Sequence, residues 1–167
     1  MKMKFLTMLL ICGTLSASAQ KTVVDIAVGS KDHTTLVAAV KAADLVATLQ
    51  SAGPFTVFAP TNAAFDKLPK GTVESLLKPE NKATLAKILT YHVVAGNLDA
   101  AAVVKAITDA KGKLVVKTVS GGTLTATIKD GKVILTDEKG GKATVVATDL
   151  KAGNGIVHVI DAVVLPK

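Results

Sequence analysis

The sequence predicts one α+β domain, from three observations. Apolar residues in the first two thirds recur at i, i+3, i+4 and i+7, the repeat of a helix face. After Gly112 the repeat drops to two, the repeat of a strand with one buried side. Asp130-Gly131 then separates two such runs, the two-residue pattern of a tight hairpin. Helices followed by hairpins read as helices packed on an antiparallel-rich sheet.

The elements follow in chain order. Thr22 to Val28 reads as a short apolar lead-in. Asp32 or Thr34 is placed to cap a helix starting near His33, with Leu36, Val37 and Val40 on its apolar face. Leu45, Val46 and Leu49 form a second short helix, stopped by Gly53-Pro54. Phe55 to Ala59 is a compact apolar run ended by Pro60, a buried strand. Thr61 or Asn62 caps the next helix, holding Ala63, Ala64 and Phe65. Pro79 to His92 carries the clearest helical stripe, with Leu85, Ile88, Leu89 and His92 on one face. Asp99 caps a helix with Val103, Val104 and Ile107 in the same spacing. Strands follow over Leu124–Ile128, Val133–Thr136 and Ala143–Thr148. The last run, Ile156 to Leu165, is almost wholly apolar and is expected at the centre of the sheet.

Composition narrows the chemistry. The chain has 167 residues, enough for one domain with a real core, and a net charge of +7. Every basic residue is lysine, so no arginine fork clamps phosphate. Tryptophan is absent and aromatics are 3%, too few to build a stacking platform for bases. One cysteine, Cys12, allows neither an intrachain disulfide nor a cysteine zinc site. No serine sits in a Gly-x-Ser-x-Gly elbow, and His33, His92 and His158 lie far apart with no carboxylate at metal-ligand spacing. The sequence therefore predicts no enzyme, no cofactor, no metal and no nucleic-acid partner.

Residues 1–19 read as an export signal. Lys2 and Lys4 precede an apolar stretch from Phe5 to Leu15, and Ala17-Ser18-Ala19 supplies a small-x-small cleavage pattern before Gln20. The stretch is shorter than the about 20 apolar residues that span a bilayer, so no transmembrane segment is expected in the mature protein. Cleavage after Ala19 removes the only cysteine, all three methionines and two lysines, which lowers the net charge to about +5. A chain without sulfur suits a secreted or periplasmic location.

Two segments and a dipeptide stand in a telling order: Thr56-Val57-Phe58-Ala59-Pro60-Thr61-Asn62-Ala63-Ala64-Phe65, then Tyr91-His92, then Asn154-Gly155-Ile156-Val157-His158-Val159-Ile160-Asp161. This order and spacing resembles the fasciclin-like domain family, and the resemblance covers residues 20–167. It implies a fasciclin-like fold, a β-strand wedge packed with several helices. It implies an exported adhesion or extracellular-matrix-type module that contacts a cell-surface or matrix protein or polysaccharide, as a monomer or with weak self-association. The animal members' Asp-Ile motifs have no counterpart at the matching place, so integrin contact is not expected. The rival reading is a carrier of a small lipid or glycan in a groove between helices and wedge.

Candidate contact residues come from two places. The resemblance points to Tyr91 and His92. Tyr91 lies one position off the apolar stripe, so it is expected partly exposed and the better contact residue. His92 lies on the stripe and is expected to be hydrogen-bonded internally, closing its helix. Charge supplies the second group. Seven lysines between Lys111 and Lys142 face three carboxylates. Of these, Lys129, Lys132, Lys139 and Lys142 are expected together at neighbouring hairpin ends, as solubilising charge or as a polyanion contact.

Overall fold

The computed structural model describes residues 21–167; the expected signal and its cleavage site lie outside these residues. The described residues form seven α-helices and seven strands. Helix α1, Val23–Val28, occupies the stretch read as a lead-in. Thr22 and Asp25 close a capping box: the Asp25 amide donates to the Thr22 hydroxyl, and the Thr22 amide donates to the Asp25 carboxylate at 2.8 Å. That pairing satisfies two N–H groups a short helix would otherwise leave open. A 3₁₀ turn at Lys31–His33, capped by Ser30, leads into α2, Thr34–Ala42, and then α3, Val46–Gln50.

Strand β1, Phe55–Pro60, runs to Thr61, whose hydroxyl caps α4, Asn62–Asp66. Helix α5, Thr72–Leu76, is too short to register as a periodicity. Pro79–Asn81 forms a 3₁₀ turn rather than the start of the long helix, so α6 covers Lys82–Tyr91. Strand β2, Val93–Ala95, follows at once, and α7, Ala100–Asp109, is capped by Asp99. The last third holds β3 (Lys113–Lys117), β4 (Thr123–Lys129), β5 (Lys132–Thr136), β6 (Lys142–Ala152) and β7 (Gly155–Ile160). Asp130 and Gly131 both take positive φ, 53° and 75°, as the tight turn joining β4 to β5 requires.

The strands lie in the order β2-β1-β7-β6-β5-β4-β3. Only β1 and β7 pair in parallel among neighbouring strands. The sheet curls until its two ends meet, where Val94 of β2 bridges Thr118 just past β3. This curled sheet is the expected wedge. Strand β6 carries it round: its first residues pair with β5, its later ones with β7 across two register shifts.

Two cores lie on opposite faces of the central strands. Val57, Ala59 and Val157 pack beneath α1, α2, α3 and α6. Phe58 and Ile160 turn the other way, toward Tyr91, α7 and the inner residues Leu124, Ala126, Leu135 and Ala143. Burial on both faces explains why β1 and β7 read as unbroken apolar runs. Strand β7 stops at Ile160, opposite Pro60, rather than reaching Leu165. The chain turns at Asp161, whose carboxylate accepts the Thr144 amide at 2.7 Å.

Asn154 and Gly155 set the junction between helices and sheet. The Asn154 side chain accepts the Val23 amide and donates to the Leu49 and Ser51 carbonyls, tying α1 and α3 to the start of β7.

Candidate interaction site

Tyr91 and His92 sit at the end of α6, where the chain passes directly into β2. The structure corrects the expectation for Tyr91: its side chain is fully buried, at 0% exposure. Its hydroxyl donates to the Thr123 carbonyl at 2.5 Å and accepts the Glu138 amide at 3.3 Å. Its ring lies against the backbone of Gly122. The helical stripe misleads because the curled sheet passes over the side of α6 that the periodicity leaves free. Burial raises the hydroxyl's pKa above the ordinary tyrosine value.

His92 behaves as an internally bonded group. It is 2% exposed, its Nδ1 donates to the Ile88 carbonyl at 2.8 Å, and its Nε2 accepts the Val164 amide at 3.2 Å. An amide donor on Nε2 requires a bare ring nitrogen there, so the bonding defines the neutral tautomer. Burial pushes the pKa down to about 4. The ring closes the C-terminus of α6 as a neutral donor, and in the same stroke holds the C-terminal segment. Asp137 and Glu138 hold that segment further along, accepting the Leu165 and Lys167 amides. Tyr91 and His92 thus form a clasp between α6, the β5–β6 turn and the chain end, and present no side-chain surface to a partner.

The other two histidines are also internal. The His158 Nε2 donates to the Leu98 carbonyl at 2.7 Å, its Nδ1 accepts the Asp149 amide at 3.4 Å, and its ring stacks on Phe58 with ring centroids 5.7 Å apart. His33 bonds Ser30 through Nδ1, while its buried Nε2 makes no hydrogen bond, and burial lowers its pKa. Among the described residues, no three His, Cys, Asp or Glu side chains converge as metal ligands. No described helix is long and apolar enough to cross a membrane.

The lysines divide differently from their expected grouping. Lys129 and Lys132 face each other across the β4–β5 turn. Lys139 sits in the β5–β6 turn at the opposite end of β5, near Lys87 and Lys167. The expectation that all four share neighbouring hairpin ends is therefore corrected; a hairpin puts successive turns at opposite ends. Register instead gathers Lys113 and Lys117 of β3, Lys129, Lys132 and Lys142 on the outer face of β3–β6. Between them lie Val115, Thr125, Thr127, Ile134, Thr136 and Thr144. By register this face carries five lysines and no carboxylate at a paired position, while at its edge the Glu138 carboxylate accepts the amide and hydroxyl of Thr123, which stands opposite Lys117 in the ladder. Period-two alternation sorts the lysines within each strand, but the registers between strands bring the five together.

A second feature lies on the helix side. A cavity of about 190 Å³ opens between α1, α2 and α3, with β1 and the end of α6 beneath it. Aliphatic side chains dominate its lining, and Asp25, Lys41 and Gln50 are exposed at its mouth.

The sequence matches the family model for the fasciclin domain over residues 31–166. The chain belongs to the fasciclin domain family. Among related proteins, this fasciclin domain is 56% identical over 145 residues to protein sll1483 of Synechocystis, a match covering 87% of this chain and 73% of that one. It is 42% identical to the immunogenic protein MPB70 of Mycobacterium bovis, over 74% of this chain and 55% of the relative. It is 38% identical to the transforming growth factor-beta-induced protein ig-h3 of Sus scrofa, over 87% of this chain but 19% of that longer protein. The fold resembles that found in a FAS1 domain pair from the insect cell adhesion molecule Fasciclin I, about half of which this chain covers. That likeness has a TM-score of 0.76 at 19% identity and covers 87% of this chain and 51% of the other.

Proposed function

We propose that this fasciclin domain is an exported, non-enzymatic adhesion module that holds anionic polysaccharide at the cell envelope or matrix. The carrying observation is the outer face of β3–β6, with five lysines and interspersed threonines against one edge carboxylate, Glu138. A predominantly positive field attracts a polyanion along its length, and threonine hydroxyls offer hydrogen bonds between the charges. Family membership supports the adhesion reading, and Fasciclin I is itself described as a cell adhesion molecule. Export rests on the Lys2/Lys4, Phe5–Leu15 and Ala17-Ser18-Ala19 pattern. An intact mass beginning at Gln20 supports it, and a mass retaining Met1 overturns it.

The binding test uses polygalacturonate at rising salt. Affinity falls steeply with salt, because the screening length shrinks from about 10 Å at 0.1 M to about 3 Å at 1 M. Replacing Lys113, Lys129, Lys132 and Lys142 by Gln lowers affinity at least about tenfold, while Lys139→Gln, off this face, has a small effect. Equal binding by the two variants, or salt-resistant binding, overturns the reading.

A further inference from the structure

The cavity beneath α1, α2 and α3 is unlike an ordinary core defect. Native interiors hold few voids larger than a water molecule, yet this one measures about 190 Å³ and reaches solvent. Its wall is apolar, and such space stays dry. His92 lines the floor but offers it no polar atom, since both ring nitrogens are already bonded. At the mouth, the Asp25 carboxylate is taken up by the Thr22 amide and hydroxyl. Lys41 is exposed there and makes no ion pair among the described residues. Among the described residues, an apolar chamber with an unpaired lysine at its rim suits an anionic amphiphile.

We infer that the cavity binds a single-chain anionic amphiphile, with the hydrocarbon tail inside against Val40 and the carboxylate at Lys41. A cavity of 150 Å³ accepts benzene, so this volume takes a tail of about six to eight carbons. Asn154 holds the site's frame, because its side chain ties both α1 and α3, the walls on two sides, to the sheet. The site is separate from the lysine face of β3–β6, so binding here and polyanion binding there stand or fall independently.

The test is calorimetric titration of the full chain with octanoate and with 1-octanol. Octanoate binds saturably at one site per chain, and octanol at least about fivefold more weakly. Val40→Phe fills the chamber and cuts octanoate affinity at least tenfold without lowering the melting temperature. Lys41→Gln, an exposed change that leaves the fold intact, abolishes the preference for octanoate over octanol while octanol affinity holds. No saturable octanoate binding to the wild-type chain overturns the proposal. A preference that survives Lys41→Gln overturns it as well, as does undiminished binding by folded Val40→Phe.

Discussion

The ring of Tyr91 fills the space that a side chain on Gly122 would need. A Cβ placed on Gly122 would stand 2.6 Å from Cε2 and 2.9 Å from Cδ2 of that ring. The family's Tyr-His dipeptide and the glycine pair before β4 are therefore two halves of one packing unit, 31 positions apart in the chain.

Gly122→Ala consequently forces a buried ring to move, and is expected to destabilise the fold by about 1–3 kcal/mol. The collision is with Tyr91 alone among ring neighbours, so the loss is coupled to it. In a cycle with Tyr91→Ala, the double variant is expected to lose at least about 1 kcal/mol less than the sum of the singles. Urea midpoints of the four proteins measure this; strict additivity would show that Gly122 matters for its turn and not for the ring.

His92→Ala leaves the Val164 amide and the Ile88 carbonyl without their partner, and should cost about 1–3 kcal/mol at neutral pH. The wild-type pH profile carries its own signature. The folded-state pKa is depressed to about 4, so between about 6.5 and 4 the unfolded chain binds a proton that the folded chain refuses. Stability is then full above about 6.5 and falls as pH drops to 4, by about 3 kcal/mol in all. His33, also lowered by burial, acts in the same direction. Chemical denaturation across pH 4–8 checks the slope, which should be shallower in His92→Ala by the contribution of one proton.

Gly155→Ala meets a harder obstacle than Gly122→Ala. Its Cβ would lie 2.0 Å from the Phe55 carbonyl oxygen, a backbone atom in the parallel β1–β7 ladder that no rotamer change can move. The expected loss is at least about 3 kcal/mol, with α1 and α3 loosened because Asn154 shifts with the strand. Amide exchange at Val23 and Leu49 should accelerate beyond the rest of the core. A melting temperature near the wild-type value would refute this account of Gly155.

Several local rules read from the sequence survived, though neither Asp32 nor Thr34 caps α2, whose N-cap His33 makes no side-chain capping bond. Asp99 and Thr61 cap their helices as expected, Asp130-Gly131 turns the β4–β5 hairpin, and the apolar runs of β1 and β7 are interior strands of the sheet. The capping box of Thr22 and Asp25 is missed in the sequence, since α1 is too short to announce itself by periodicity and its stretch reads as a lead-in. Tyr91 is different: no property of α6 tells which of its sides the curled sheet will cover, and the covering residues lie 31 and more positions away. The same holds for the lysine face, where registers between β3, β4, β5 and β6 choose the five lysines that meet and send Lys139 to the far end. The cavity beside Lys41 is the extreme case, a property of how three short helices rest on a sheet. Caps, turns and strand burial follow from interactions within a few residues, and so the sequence determined them; exposure, charge grouping and internal space are sums over distant packing, which only the tertiary structure decides.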